Sequence, residues 1–101
     1  MKMRCYALFD RKSLAYNMPY YAVTDGQAVR TLSDAVADPQ SMFSRHPDDF
    51  VLYCIGEFDD QKGALSPFSP LIHVIDAVSL VQALRSEKPF PDNVVDMKET
   101  V

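Results

Sequence analysis

Hydrophobic and polar positions fall into short blocks of period two and two longer blocks of helical period, separated by turn-forming residues. The longest unbroken apolar run lies in Phe50–Gly63, FVLYCIGEFDDQKG. Read as an extended strand, Phe50, Leu52, Cys54 and Phe58 share one face with Gly56, and Val51, Tyr53 and Ile55 share the other. A strand apolar on both faces belongs in the middle of a sheet, covered on both sides or covered on one and paired to another chain on the second. Asp59-Asp60-Gln61-Lys62-Gly63 then supplies a polar loop of hairpin length, with Gly63 free to take positive φ.

The other blocks are read against this strand. Met3, Cys5, Ala7 and Phe9 alternate with Arg4, Tyr6 and Leu8, which predicts a strand at or next to the sheet centre. Asp10–Ser13 turns. Pro19 interrupts the next stretch, so a loop around Asn17-Met18-Pro19 leads into a short edge strand over Tyr20–Val23. Thr24–Ala37 reads as a helix: Thr24 and Gln27 have capping-box spacing, Ala28, Val29, Leu32, Ala35 and Val36 form one stripe, and Arg30 and Asp34 are an i,i+4 pair. Pro39 ends it, and a connection containing Met42, Phe43 and His46 follows. Ala64–Phe68 should return antiparallel to the central strand, and Pro67 and Pro70 separate it from a further strand, Leu71–Ile75. Asp76 caps a second helix ending near Ser86, with Ala77, Leu80, Val81 and Leu84 as its stripe.

The order is β-β-α-β-β-β-α. The expected fold is α+β: a mainly antiparallel sheet of four to five strands with two helices packed on one face. One domain over residues 1–87 accounts for all of it, and residues 88–101, without period and with two prolines, read as a tail that is disordered or docked on a partner. Helices on one face leave the second face of the sheet bare. That leftover apolar face predicts a homodimer.

Composition narrows the function. At 101 residues and 48% apolar, the chain holds one core without needing disulfides or metals. Its net charge of −4 makes non-specific binding to phosphate backbones unfavourable unless folding gathers a local basic patch. Cys5 and Cys54 both occupy apolar strand slots and read as buried, reduced thiols. His46 and His73 are far apart, no CxxC is present, and no metal or cofactor is expected. No apolar run has transmembrane length and the N-terminus carries no secretion signal, so a membrane partner is not expected.

Motifs for catalysis are missing. Glycines at 26, 56 and 63 cannot make a phosphate-binding loop, and no nucleophile elbow or HExxH is present. The acid pairs Asp48-Asp49 and Asp59-Asp60 sit on turns, where adjacent side chains point apart. Nothing in the sequence supports an enzyme. The one suggestive cluster is Tyr16, Tyr20 and Tyr21 around Pro19, with Arg11 and Lys12 before it and Arg30 after it. Tyrosines in this setting serve either as amphipathic edge packing or as a stacking platform for bases.

Three stretches together resemble a known family. They are Tyr6-Ala7-Leu8-Phe9-Asp10 with Arg11-Lys12-Ser13; Pro19-Tyr20-Tyr21-Ala22 followed by Asp25 and Ala28-Val29-Arg30; and Pro47-Asp48-Asp49-Phe50, Leu52-Tyr53, Ile55-Gly56 and Phe58-Asp59 with Gly63 behind. In order and spacing the chain is similar to the small nonstructural protein of gokushoviruses, single-stranded DNA phages of the microvirus group. The resemblance covers about residues 3–84. It implies a phage protein made in the host bacterial cytoplasm and absent from the virion. It also implies a role in viral DNA replication, at the change from duplex synthesis to single-stranded genome synthesis.

The resulting expectation is a replication accessory protein that binds single-stranded DNA weakly through Arg11, Lys12, Tyr16, Tyr20, Tyr21 and Arg30, charge and stacking faces close together in sequence. The alternative is a protein-interaction module that binds a replication protein of phage or host without touching DNA. A basic stripe beside the tyrosines favours the first, and uniform acidity the second.

Overall fold

A computed structural model of the chain describes residues 1–87. The expected tail, 88–101, lies outside the described residues. Five strands form one antiparallel sheet: β1 (Lys2–Asp10), β2 (Ala15–Tyr16), β3 (Tyr20–Ala22), β4 (Phe50–Asp59) and β5 (Ala64–Asp76). The helices are α1 (Asp25–Ala37), α2 (Met42–Arg45) and α3 (Ala77–Glu87), with a 3₁₀ turn at Pro47–Asp49. The spatial order is β2-β1-β4-β5, and β3 pairs with β1 along the same edge as β2. The fold is α+β, as the pattern predicts, with β4 inside the sheet between β1 and β5.

Three boundaries differ from the sequence reading. Ala64–Phe68 and Leu71–Ile75 are one strand, β5, because its pairing with β4 resumes beyond the prolines: Gly56 faces Pro67 and Cys54 faces Ile72, with the intervening residues bulged out. Ala15–Tyr16, assigned to no strand from sequence, forms a short ladder with Phe9 and Asp10. The connection after α1 contains α2, whose N-cap Ser41 accepts from the Ser44 N–H.

Helix α1 begins where the cap spacing places it. Thr24 Oγ1 accepts from the Gln27 N–H at 3.2 Å, and Gln27 Oε1 reaches back to the Val23 N–H at 3.1 Å. Ala28, Leu32 and Val36 are its buried stripe. No ion pair joins Arg30 to Asp34 among the described residues; at an exposed i,i+4 site the gain rarely offsets the side-chain ordering it requires. The core lies between the sheet and the helices: Tyr6, Leu8, Ala22, Phe50, Leu52 and Cys54 below, the α1 stripe with Ala77 and Leu80 above. Around it, Tyr6 Oη donates to Asp25 Oδ1 at 2.6 Å. Arg4 Nε, cut off from solvent, lies 3.2 Å from the same oxygen, an ion pair without a well-directed hydrogen bond.

A bulge decides what the other face carries. Cys5 pairs with Gly56 and Tyr6 with Cys54, so Ile55 is an extra residue in β4. Beyond it the facing reverses. Phe50, Leu52 and Cys54 point to the helices, but Gly56 and Phe58 join Val51 and Tyr53 on the opposite side, which corrects the single-face assignment of Phe50–Phe58. Cys5 and Cys54 therefore sit on opposite faces of the sheet. Both are free and buried, and no disulfide can join them.

Candidate nucleic-acid interface

The face turned away from the helices carries Met3, Cys5, Ala7 and Phe9 from β1, with Val51, Tyr53, Gly56 and Phe58 from β4 opposite them. Tyr16 faces Phe9 from β2, Tyr21 faces Cys5 from β3, and His73 faces Tyr53 from β5. Small residues on β1 let rings from strands on either side meet over it. Ala7 lies between Tyr16 and Tyr53, whose ring centroids are 6.1 Å apart. Tyr16 also packs on Phe9 at 4.9 Å, and Tyr53 meets His73 at 5.9 Å. One aromatic row thus crosses the sheet from β2 to β5. A second, shorter contact joins Tyr21 to Phe58 at 6.1 Å.

These rings form the outer surface of the sheet. Ala7 and Val51 beneath them are buried yet do not belong to the helix-packed core, because rings of the sheet itself cover them. Tyr16 and Tyr21 remain 48% and 45% exposed, so their faces are available for contact. Beside Tyr21 the bulge opens a shallow apolar cup of about 240 Å³, lined by Cys5, Pro19, Ile55, Leu65 and Pro67 around Gly56. Gly56 is required there: a Cβ would stand 2.7 Å from the Ser66 carbonyl oxygen. Burial pushes the Cys5 thiol above its ordinary pKa, which keeps it protonated and unreactive.

The residues singled out from sequence are divided by the fold. Tyr16 and Tyr21 stand on the open face. Tyr20 points the other way, its ring 5.9 Å from Tyr6 and its hydroxyl donating to the Ala28 carbonyl at 2.8 Å. Arg11, in the β1–β2 turn, donates from Nη1 to the Asp48 carbonyl at 2.6 Å. Lys12 borders a hollow shared with Met42, His46 and Asp49 on the helix side. Arg30 is exposed on α1, also on the helix side. No lysine or arginine occupies an open-face position of the paired strands.

Phe9, Tyr53, Phe58 and His73 belong to the face but not to the sequence-derived cluster. Phe9 and Tyr53 were legible by alternation. Phe58 was not, because the bulge at Ile55 reverses its side. His73 extends the row to the β5 edge, and its Nε2 lies 2.8 Å from Asp76 Oδ1. Among the described residues no cluster of His, Cys, Asp or Glu is arranged to hold a metal ion, and no helix is long and apolar enough to cross a membrane.

A small α+β domain with one helix-covered and one open aromatic sheet face is the class of protein this structure defines. The chain belongs to the phage ORF5 protein family, whose model matches residues 3–80. Protein ORF5 of Chlamydia phage 1 is 32% identical over 82 residues, covering 76% of this chain and 85% of that protein. That phage is a gokushovirus, so the family anticipated from the three sequence stretches is the one found. No solved structure matches.

Proposed function

We propose that this protein is a non-enzymatic accessory factor of phage DNA replication. It works in the host cytoplasm, outside the virion, at the change to single-stranded genome synthesis, by binding single-stranded DNA weakly on its open sheet face. The observation that carries this reading is the row Phe9, Tyr16, Tyr53 and His73, left uncovered across the sheet. An open sheet presenting aromatic rings suits unstacked bases, because every base offers a π-face, and engaged stacks contribute roughly 1–3 kcal/mol per base. Duplex DNA hides those faces and is disfavoured. With a net charge of −4 and no cation among the paired open-face positions, affinity is modest and tolerant of sequence.

The test is fluorescence anisotropy with a labelled single-stranded oligonucleotide at low salt. Tyr16→Ala with Tyr53→Ala should abolish binding, Lys12→Ala and Arg30→Ala should leave it nearly unchanged, and a duplex of the same sequence should compete poorly. Absence of binding at high protein concentration overturns the DNA reading.

One observation favours a second reading. Arg11 is engaged by the Asp48 carbonyl, and Lys12 and Arg30 lie on the helix side, so no basic stripe borders the tyrosines. On that reading the same apolar face takes a replication protein of phage or host. A partner retained from infected cells after nuclease treatment, and lost with Tyr53→Ala, would establish it.

A further inference from the structure

We infer that two copies of this chain pair through the outer edge of β5, over His73–Asp76. Strand β5 ends the sheet on its side, and β4 is its only sheet neighbour among the described residues. An unpaired edge presents a row of N–H and C=O groups that either meet water or template another strand. The opposite edge of the sheet is shortened and divided between β2 and β3. Along β5 the first half is protected, since Pro67 and Pro70 cannot donate to a ladder. The second half, Leu-Ile-His-Val-Ile-Asp, has neither proline nor lysine to guard it, and Ile72 is 44% exposed.

The facing pattern of this half matches itself under a two-fold axis. His73 faces Tyr53, and Asp76 faces Val51, so both lie on the open side. Leu52 pairs with Ile75 and Tyr53 with His73, which makes Val74 a bulge residue; Val74 and Ile75 both pack toward the helix-side core. From His73 to Asp76 the order is therefore open, helix, helix, open. Antiparallel pairing of two copies about the point between Val74 and Ile75 sets every residue against one of the same side. It also sets His73 against Asp76 of the second copy, twice per dimer, so the imidazole and carboxylate that already meet at 2.8 Å within one chain can share that hydrogen bonding across the axis where the faces agree. Without the bulge at Val74 this register would place inward residues against outward ones.

The experiment is sedimentation velocity of the full chain from micromolar to hundreds of micromolar, with amide hydrogen exchange at both ends of the range. A reversible dimer whose outward β5 amides over 73–76 gain protection with concentration is expected. His73→Glu should weaken the dimer about tenfold, like charges opposing each other at two places. His73→Glu with Asp76→Arg should restore it. His73 is exposed, and circular dichroism checks that the variants fold; if a variant does not, exchange in the unaltered chain still decides. A monomer at all concentrations, a dimer that leaves the β5 amides unprotected, or a dimer indifferent to His73→Glu in a folded variant overturns the inference.

Discussion

Tyr20 and Tyr21 are neighbours in the chain and opposites in the fold. The alternation of a strand sends Tyr21 to the open face and Tyr20 under α1, where its hydroxyl donates to the Ala28 carbonyl. Burial pushes the Tyr20 phenol up to about 12. Burial, followed by the hydrogen bond to Asp25, raises the Tyr6 phenol as well. A folded-state pKa above the unfolded value means that the unfolded chain loses its phenolic protons first as pH rises. Stability from these groups is fully present below the ordinary tyrosine pKa and is lost as pH rises through the folded value. Urea midpoints should thus hold steady up to about pH 10 and fall between about 10 and 12. Tyr20→Phe should cost about 1 kcal/mol at neutral pH, from the lost hydrogen bond, and make that alkaline fall shallower. At the β1–β2 turn Leu14 has φ of 59°, left-handed backbone that a leucine enters only under strain, and its side chain is 76% exposed. Leu14→Asn should stabilise the chain by about 1 kcal/mol, read as a rise in melting temperature. Residue types announced tyrosines with amphipathic roles, but nothing in the sequence around Pro19 states which ring goes in. That follows from the register of β3 on β1.

At the scale of elements, what repeats with a clean period was legible and what breaks a period was not. The apolar stripe and the Thr24 cap locate α1 within the chain, and the alternation of Met3–Phe9 locates β1. The double apolarity of Phe50–Ile55 places β4 inside the sheet. Irregularities in pairing were invisible: each depends on two strands at once, and neither strand alone encodes it. The bulge at Ile55 turns Phe58 outward, and the excursion at 68–71 lets β5 continue past two prolines that read as a strand end. Gly56 stands where these meet, its absent Cβ making room for the Ser66 carbonyl. Gly56→Ala should therefore destabilise by roughly 1–3 kcal/mol, since backbone must move to admit one methyl. Chemical denaturation measures it. Gly26→Ala serves as the control: a Cβ there meets only Thr24 Oγ1 at 3.8 Å, so the helix should gain slightly.

For the whole molecule, the decisive feature is the separation of charge from rings. The aromatic row occupies the open face, while Arg11, Lys12 and Arg30, gathered with the tyrosines by sequence proximity, are engaged in a turn or lie on the helix side. Clustering in sequence did not foretell this separation, and a net charge of −4 does not say where the cations lie. It sets a quantitative test of the proposed DNA binding. Each phosphate neutralised on a single strand contributes about −0.7 to the slope of log K against log salt. A face that binds by stacking, with no cation at its paired positions, should neutralise about one phosphate at most, so the slope should lie between 0 and about −1. Tyr53→Ala should then lower affinity about tenfold or more while leaving that slope unchanged, because it removes a stacked base and no charge. Arg11→Ala should change neither affinity nor slope appreciably. Anisotropy titrations at several salt concentrations measure both quantities. A steep slope, or a slope that flattens when Arg11 is removed, would show that DNA runs past the β1–β2 turn instead of across the rings. Binding through the open face would then be wrong even though DNA is bound.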